Sequence, residues 1–162
     1  MALELNGTTG VSAVQPGAVK SGDLPAGSVI QVVQENSTTQ TSTTSTSFVS
    51  ANLSASITPI SSNSKILIFY STSSLSSNGR IKVTVFRGGV SSGVNISPST
   101  NEFEMQHSQV TEAAAISFSI LDSPSTTSAI TYEVAFAARD SGTMFVSHTS
   151  SPSVLTLMEI AG

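Results

Sequence analysis

Apolar and polar residues alternate in two stretches of the last third of the chain, residues 116–122 and 129–136. Alternation with a period of two is typical of a strand that buries one face. Pro124 lies between the stretches in a Ser/Thr-rich run, where it interrupts a sheet ladder. The pattern predicts strands over 113–122 and 129–138 that pair as an antiparallel hairpin. The alternating apolar positions are Ile116, Phe118, Ile120, Ile130, Tyr132, Val134 and Phe136.

Further strands are predicted wherever a short apolar or alternating run is bounded by turn residues. These runs cover 29–35, 41–50, 53–58, 65–71, 80–86, 103–105, 143–148 and 154–160. No stretch has a convincing helical period. Many short strands with turn signals between them are typical of sandwiches and jelly rolls. We therefore predict an all-β fold, an antiparallel jelly roll or β-sandwich, over residues 29–162.

Two of the runs, 66–70 and 154–160, are apolar at both odd and even positions, except for Thr156 and Glu159 in the second run. In a two-layer sandwich only one face of each strand meets the core. The second face of these strands needs another cover, and an identical subunit is the simplest one. We therefore predict a closed homo-oligomer. Its candidate interface residues are Leu67, Phe69, Leu155 and Leu157.

Residues 1–28 differ from the rest because Gly and Pro recur between isolated apolar residues. That density of Gly and Pro excludes a helix and disfavours a self-contained core. One interpretation is a flexible terminus. The other is an extended arm that lies on another subunit or protein. In the second case the candidate anchoring residues are Leu3, Leu5, Val11 and Val14.

Composition limits the possible functions. Charged residues make up 10% of the chain and apolar residues 38%, with a net charge of −4. The six basic residues are scattered, which argues against nucleic-acid binding. The absence of cysteine excludes disulfides and thiolate metal sites. No apolar run approaches the ~20 residues that a membrane span needs. The first ten residues lack a signal-peptide pattern, so we expect no membrane insertion.

Candidate chemistry is sparse. Glu102, Glu104 and His107 offer oxygen and imidazole ligands within one short segment, but a solvated loop explains them better. Asp122 and Glu133 flank the Pro124 connection without the partner that a glycosidase pair requires. Serine is too abundant to indicate a catalytic triad, no Gly-x-Ser-x-Gly occurs, and no phosphate-binding loop is present. We expect no enzymatic activity and no cofactor.

Several segments together resemble structural proteins of tailed bacteriophages, especially cyanophages. The similarity is in the order and spacing of the segments and covers nearly the whole chain. The segments are Asn6–Ser12, Gly27–Gln34, Ser64–Ile68, Leu121–Pro124 with Thr131-Tyr132, and Leu155–Ile160.

The resemblance implies a trimeric jelly-roll knob on the virion surface, assembled in the bacterial cytoplasm. Such knobs are capsid decoration (cement) proteins or heads of tail fibres and tailspikes. Here about 28 residues precede the β domain, a reach of ~90 Å when extended. That length favours a short arm that binds the major capsid protein or another virion component. The alternative is a fibre head whose loops, such as residues 90–111, bind glycans of the host surface.

Overall fold

The computed structural model describes residues 23–76, 79–97, 103–107, 113–140, 142–147 and 151–162. These residues form β strands and contain no α-helix. The strands are β1 (Val29–Ser37), β2 (Thr41–Thr43), β3 (Val49–Ile57), β4 (Lys65–Ser76), β5 (Gly79–Arg87), β6 (Val94–Asn95), β7 (Phe103–His107), β8 (Ala113–Asp122), β9 (Ile130–Ala138), β10 (Met144–Val146) and β11 (Ser153–Ile160).

The first sheet is built around β4, the longest strand. On one side β4 pairs with β8 from Ile66 to Leu75. On its other side it pairs with β11 over Lys65–Ser71 and with β10 over Ser74–Ser76. Strands β1 and β2 pair in turn with β11 and β10. Strands β11 and β10 lie in line, as do β1 and β2, so the sheet is effectively four strands wide.

The second sheet is built around β9 and β5. Strand β9 lies between β3 and β5, and β7 and β6 pair in line with the other edge of β5. When in-line strands are counted as one, the described residues form eight strands in two antiparallel four-stranded sheets. Numbered one to eight in chain order, with each in-line pair counted once, the neighbouring strands are 1-8-3-6 in the first sheet (β1/β2, β10/β11, β4, β8). In the second sheet they are 2-7-4-5 (β3, β9, β5, β6/β7). This is a jelly roll, and it confirms the predicted fold class.

The predicted hairpin between 113–122 and 129–138 is wrong, although both strands exist. Strand β8 pairs with β4 in the first sheet, and β9 pairs with β3 and β5 in the second. The Pro124 segment therefore crosses from one sheet to the other. Alternation identifies the buried face of a strand, but it does not identify the neighbouring strand. The two apolar faces meet across the core instead of lying side by side.

The predicted strand over 41–50 is also divided. Strand β2 ends at Thr43, residues 44–48 leave the sheet, and β3 begins at Val49. Strand β3 then continues through Asn52, whose positive φ of 53° marks an irregularity in its pairing with β9. The predicted strand over 53–58 is thus the second half of β3. The high Thr content of residues 41–50 predicts an extended chain, but it does not show that residues 44–48 leave the sheet.

The core lies between the two sheets and is closed by large side chains from both. Tyr70, Tyr132 and Phe136 are fully buried in it. Leu155 and Leu157 also belong to this core and have no exposed surface, so their assignment as interface residues is corrected. On β11 the alternate positions face outward instead. The predicted anchoring residues Leu3, Leu5, Val11 and Val14 lie outside the described residues.

Candidate functional site

The outer face of the first sheet carries a row of four apolar side chains. Met158 on β11 is the cross-strand partner of both Val32 on β1 and Leu67 on β4. Leu67 is also the partner of Leu121 on β8. Directly opposed residues share one face of a sheet, so Val32, Met158, Leu67 and Leu121 form a continuous line, which we call the outer row. Val32 and Leu121 are 55% and 54% exposed.

Phe69 extends the outer row along β4. It is 42% exposed, beside Thr156 of β11 and Ser119 of β8. Leu67, two residues earlier, is half-buried. The two interface candidates that the sequence placed on β4 therefore face outward. Whether another copy covers them stays a prediction.

The outer face of the first sheet is almost without charge. Between Lys65 and Ser71, the outward positions of β4 and their described cross-strand partners include one charged residue, Lys65. The carboxylates of the strands that flank this region point elsewhere. Glu159 follows Met158 on β11 and faces the core side, and Asp122 follows Leu121 on β8 and does the same. The carboxylates of Asp122 and Glu159 therefore lie off this face.

The outer face of the second sheet is covered by the chain itself. Ala135 and Ala137 of β9 point outward by register and have no exposed surface. Residues 44–48 form one part of the cover. Lys82 Nζ donates a hydrogen bond to the Thr46 carbonyl at 3.2 Å and lies 5.1 Å from the centre of the Phe48 ring. That ring meets Phe86 edge to face at 5.9 Å.

Residues 88–97 form the other part of the cover. Gly88 and Gly89 have φ near +90°, which turns the chain back after β5. A side chain at Gly93 would collide with the carbonyl oxygens of residues 87 and 89. Glu133 accepts a hydrogen bond from the Val90 amide at 2.8 Å. Thr84, which is fully buried, donates to Asn95 at 2.6 Å. The Gly88-Gly89 turn thus has a structural role.

The carboxylates of Asp122 and Glu133 are on opposite sides of β9. Asp122 accepts a hydrogen bond from the Tyr132 hydroxyl at 2.7 Å and pairs with Arg87 at 3.0 Å on the core side. Glu133 follows Tyr132 and holds the 88–97 cover on the outer side. The structure does not bring the two together as a catalytic pair. Burial, followed by the hydrogen bond to Asp122, raises the pKa of Tyr132.

Glu104, the described member of the possible metal site, is engaged by two arginines. Its carboxylate pairs with Arg80 at 3.1 Å and with Arg139 at 2.8 Å. Arg80 also pairs with Asp140 at 2.9 Å, and its hydrogen bonds lower the pKa of Asp140. Glu102 and the side chain of His107 lie outside what the structure describes. No cluster of three metal-ligating side chains occurs among the described residues.

Sequence reasoning missed the role of Glu159, a fully buried carboxylate on the core side of β11. It accepts hydrogen bonds from Gln31 Nε2 at 2.5 Å and from the Ile60 amide at 2.8 Å. Desolvation raises the pKa of Glu159, but hydrogen bonds from Ser64, Gln31 and the amides of Ile60 and Ser61 together outweigh it, and the net pKa is lowered. Glu159 thus fastens the β3–β4 connection to the first sheet. The one signal was a charged residue at a core position of an apolar strand.

A cavity of about 270 Å³ lies beside this connection. Among the described residues that line it, the polar side chains are the hydroxyls of Ser61 and Ser64. The lining residues are Leu24, Ile30, Ile60, Ser61, Ser64, Ala161 and Gly162. Among the residues that the structure describes, no helix is long and apolar enough to span a membrane.

Comparisons with known proteins give structural similarities only. No known protein family matches the chain, and no curated protein matches it. Solved structures that resemble it include infectious bursal virus derived T=1 particles, with a TM-score of 0.44, 11% identity, and coverage of 81% of this chain and 36% of that one. The VP2 subviral particle of infectious bursal disease virus gives a TM-score of 0.41 at 13% identity, covering 81% of this chain and 37% of that one.

A non-viral structure also matches, that of Bacillus endospore appendages described as disulfide-linked pili. Its TM-score is 0.31 at 14% identity, with coverage of 86% of this chain and 96% of that one. The chain spans little more than a third of the length of the viral chains. With TM-scores below 0.5, none of these similarities carries an argument about function.

Proposed function

We propose that this chain is a structural protein of a tailed-bacteriophage virion, a homotrimeric surface knob that decorates and stabilises the capsid. The observation that carries the proposal is the apolar outer face of the first sheet, which no described segment covers, in a jelly roll whose carboxylates Glu104, Asp122 and Glu133 are engaged in structural contacts. An exposed apolar patch on a small domain is typical of an interaction surface. The virion location and the trimeric state in this proposal come from the resemblance of the sequence to phage structural proteins.

In this proposal residues 1–28 bind the major capsid protein, and the jelly roll stays on the particle surface. The described end of the segment is fixed to the domain, because the Gly27 amide donates to the Ala161 carbonyl at 2.8 Å and the Ala161 amide donates to the Ser28 carbonyl at 2.8 Å. A pull on the segment would therefore be transmitted directly to β1 and β11.

Immunogold electron microscopy of phage particles tests the proposal. Label on the head is expected, and label confined to the tail would replace the cement role by the fibre-head alternative. Absence of label from intact particles would refute a virion role.

A binding assay tests the arm. Purified full-length protein and a variant without residues 1–22 are added to particles that lack the protein. The full-length chain should decorate them and the shortened chain should not, with circular dichroism as the control for folding. Equal decoration by both proteins would show that the first 22 residues are not the anchor.

A further inference from the structure

We infer that the outer row packs against a second copy of this chain. The whole outer face of the first sheet is then the contact between subunits. This inference rests on the proposed homo-oligomer and locates its interface. It moves the interface from Leu155 and Leu157, which are in the core, to the outward residues of the same sheet. The row reaches from β1 at one edge of the sheet to β8 at the other.

The first argument is the contrast with the second sheet. There the segments 44–48 and 88–97 cover the outer face so well that Ala135, Ala137 and Thr84 have no exposed surface. No described segment does this for the first sheet, where Val32, Phe69 and Leu121 remain exposed. Large apolar side chains aligned on one face of a sheet give a continuous surface, unlike single apolar residues scattered over a protein.

The second argument is charge. The chain is acidic, with a net charge of −4, so identical copies repel one another at most orientations. The outer face is the region where copies can meet without burying carboxylates, because Lys65 is the one charge among its described outward positions between 65 and 71 and their partners. Burying an unpaired carboxylate would be costly. A strongly basic partner would find no acidic group here to pair with.

Single cysteines can test who covers the row, because the chain has no cysteine of its own. Leu121→Cys places a thiol at the β8 end of the row, and Val94→Cys is the matched control, at an apolar position 58% exposed on the second sheet. Both proteins are labelled with a maleimide across a dilution series of the full-length chain. The thiol at position 121 should react about tenfold or more slowly in concentrated protein than in dilute protein, while the control reacts rapidly throughout.

Two outcomes overturn the inference. Equally fast labelling at both positions at every concentration would mean that the face is bare. Protection at position 121 that does not depend on concentration, and is lost when residues 1–22 are deleted, would mean that the chain covers its own face.

A charge substitution gives an independent test. Leu121→Glu puts a carboxylate on the carboxylate-free face at an exposed position, so folding should be retained and can be checked by thermal unfolding. Sedimentation equilibrium should show a dissociation constant raised about tenfold or more, whereas Val94→Glu should leave it unchanged. An unchanged constant for Leu121→Glu would contradict the inference. Both tests use free protein, so absence of the protein from phage particles would refute the proposed function and leave the interface standing.

Discussion

The two sheets of this jelly roll differ in how their outer faces are covered. The second sheet has its own cover, made from the excursion between β2 and β3 and from the turn after β5. The first sheet has an apolar row with exposed ends and no described cover. The contrast shows that a strand with two apolar faces, such as β4, can have one face in the core and the other exposed in the monomer. In our proposal the exposed face is where one copy of the chain contacts another.

The largest expected effect is a difference in stability between substitutions on the two faces of the first sheet. Leu157 on the core side and Leu121 on the outer side differ in exposure from none to 54%. Leu157→Ala should lower the free energy of unfolding by about 2–5 kcal/mol, because it leaves a cavity in the core. Leu121→Ala should change it by less than about 0.5 kcal/mol in dilute protein. Urea unfolding measures both, and equal losses would remove the distinction between the faces.

The next effect concerns Glu159, which holds the β3–β4 connection against the first sheet. Glu159→Gln should lower the free energy of unfolding by about 1–3 kcal/mol, since a glutamine amide has one acceptor oxygen and cannot accept from both Gln31 Nε2 and the Ile60 amide. The folded pKa lies below its ordinary value of 4.5, so the carboxylate stabilises the fold above that pH and the contribution is lost as the pH falls through the folded pKa. The wild type should therefore lose more stability than the variant on acidification from about pH 6 to about pH 3.5.

Urea titrations of both proteins at the two pH values supply the measurement. Parallel losses in the wild type and the variant would assign the acid sensitivity to other groups.

A third effect tests whether the cover of the second sheet is packed. Ala135→Leu inserts a larger side chain under the cover and should cost about 1–3 kcal/mol of unfolding free energy. Ser119→Leu, on the open outer face of the first sheet, should change the free energy of unfolding by less than about 0.5 kcal/mol. Thermal unfolding of the two variants measures the difference. If both are tolerated equally, the segments over β9 do not form a packed layer.

The weakest effect concerns the polar contacts of that cover. Thr84→Val removes the hydroxyl that donates to Asn95, and should cost about 1 kcal/mol because the site is fully buried. Thr131→Val is the control. Its hydroxyl lies 2.7 Å from the Ser56 hydroxyl on an exposed part of the same sheet, where water replaces the contact. A cost for Thr131→Val as large as that for Thr84→Val would contradict the role of burial.

Much of the candidate surface could be anticipated from parity, and the error there is instructive. Leu67 and Phe69 were placed correctly on the outward side of β4, but Leu155 and Leu157 were assigned to the outside of β11 and belong to its inside. Both sets of alternate positions in β11 are apolar, so no contrast within the strand identifies the buried one. The neighbouring strand decides it, because Leu157 is opposite Ile68, which is buried.

The cover of the second sheet could not be predicted for a related reason. Residues 44–48 continue the Ser/Thr-rich composition of β2, and nothing local distinguishes an excursion from a continuous strand. The predicted strand over 41–50 includes Phe48, yet the Phe48 ring packs on Phe86 outside the sheet. That contact joins residues far apart in the chain, so it exists only once β5 is in place.

Local patterns in the chain were enough to establish short antiparallel strands without a helix, because alternation and turn residues act between near neighbours. They also established that two strands have two apolar faces. The folded arrangement was needed to show which strands are neighbours, which face of β11 is inside, and where Glu159 finds its donors. These features depend on contacts between residues distant in sequence, whose energies come from burial and from hydrogen bonds that no local pattern encodes.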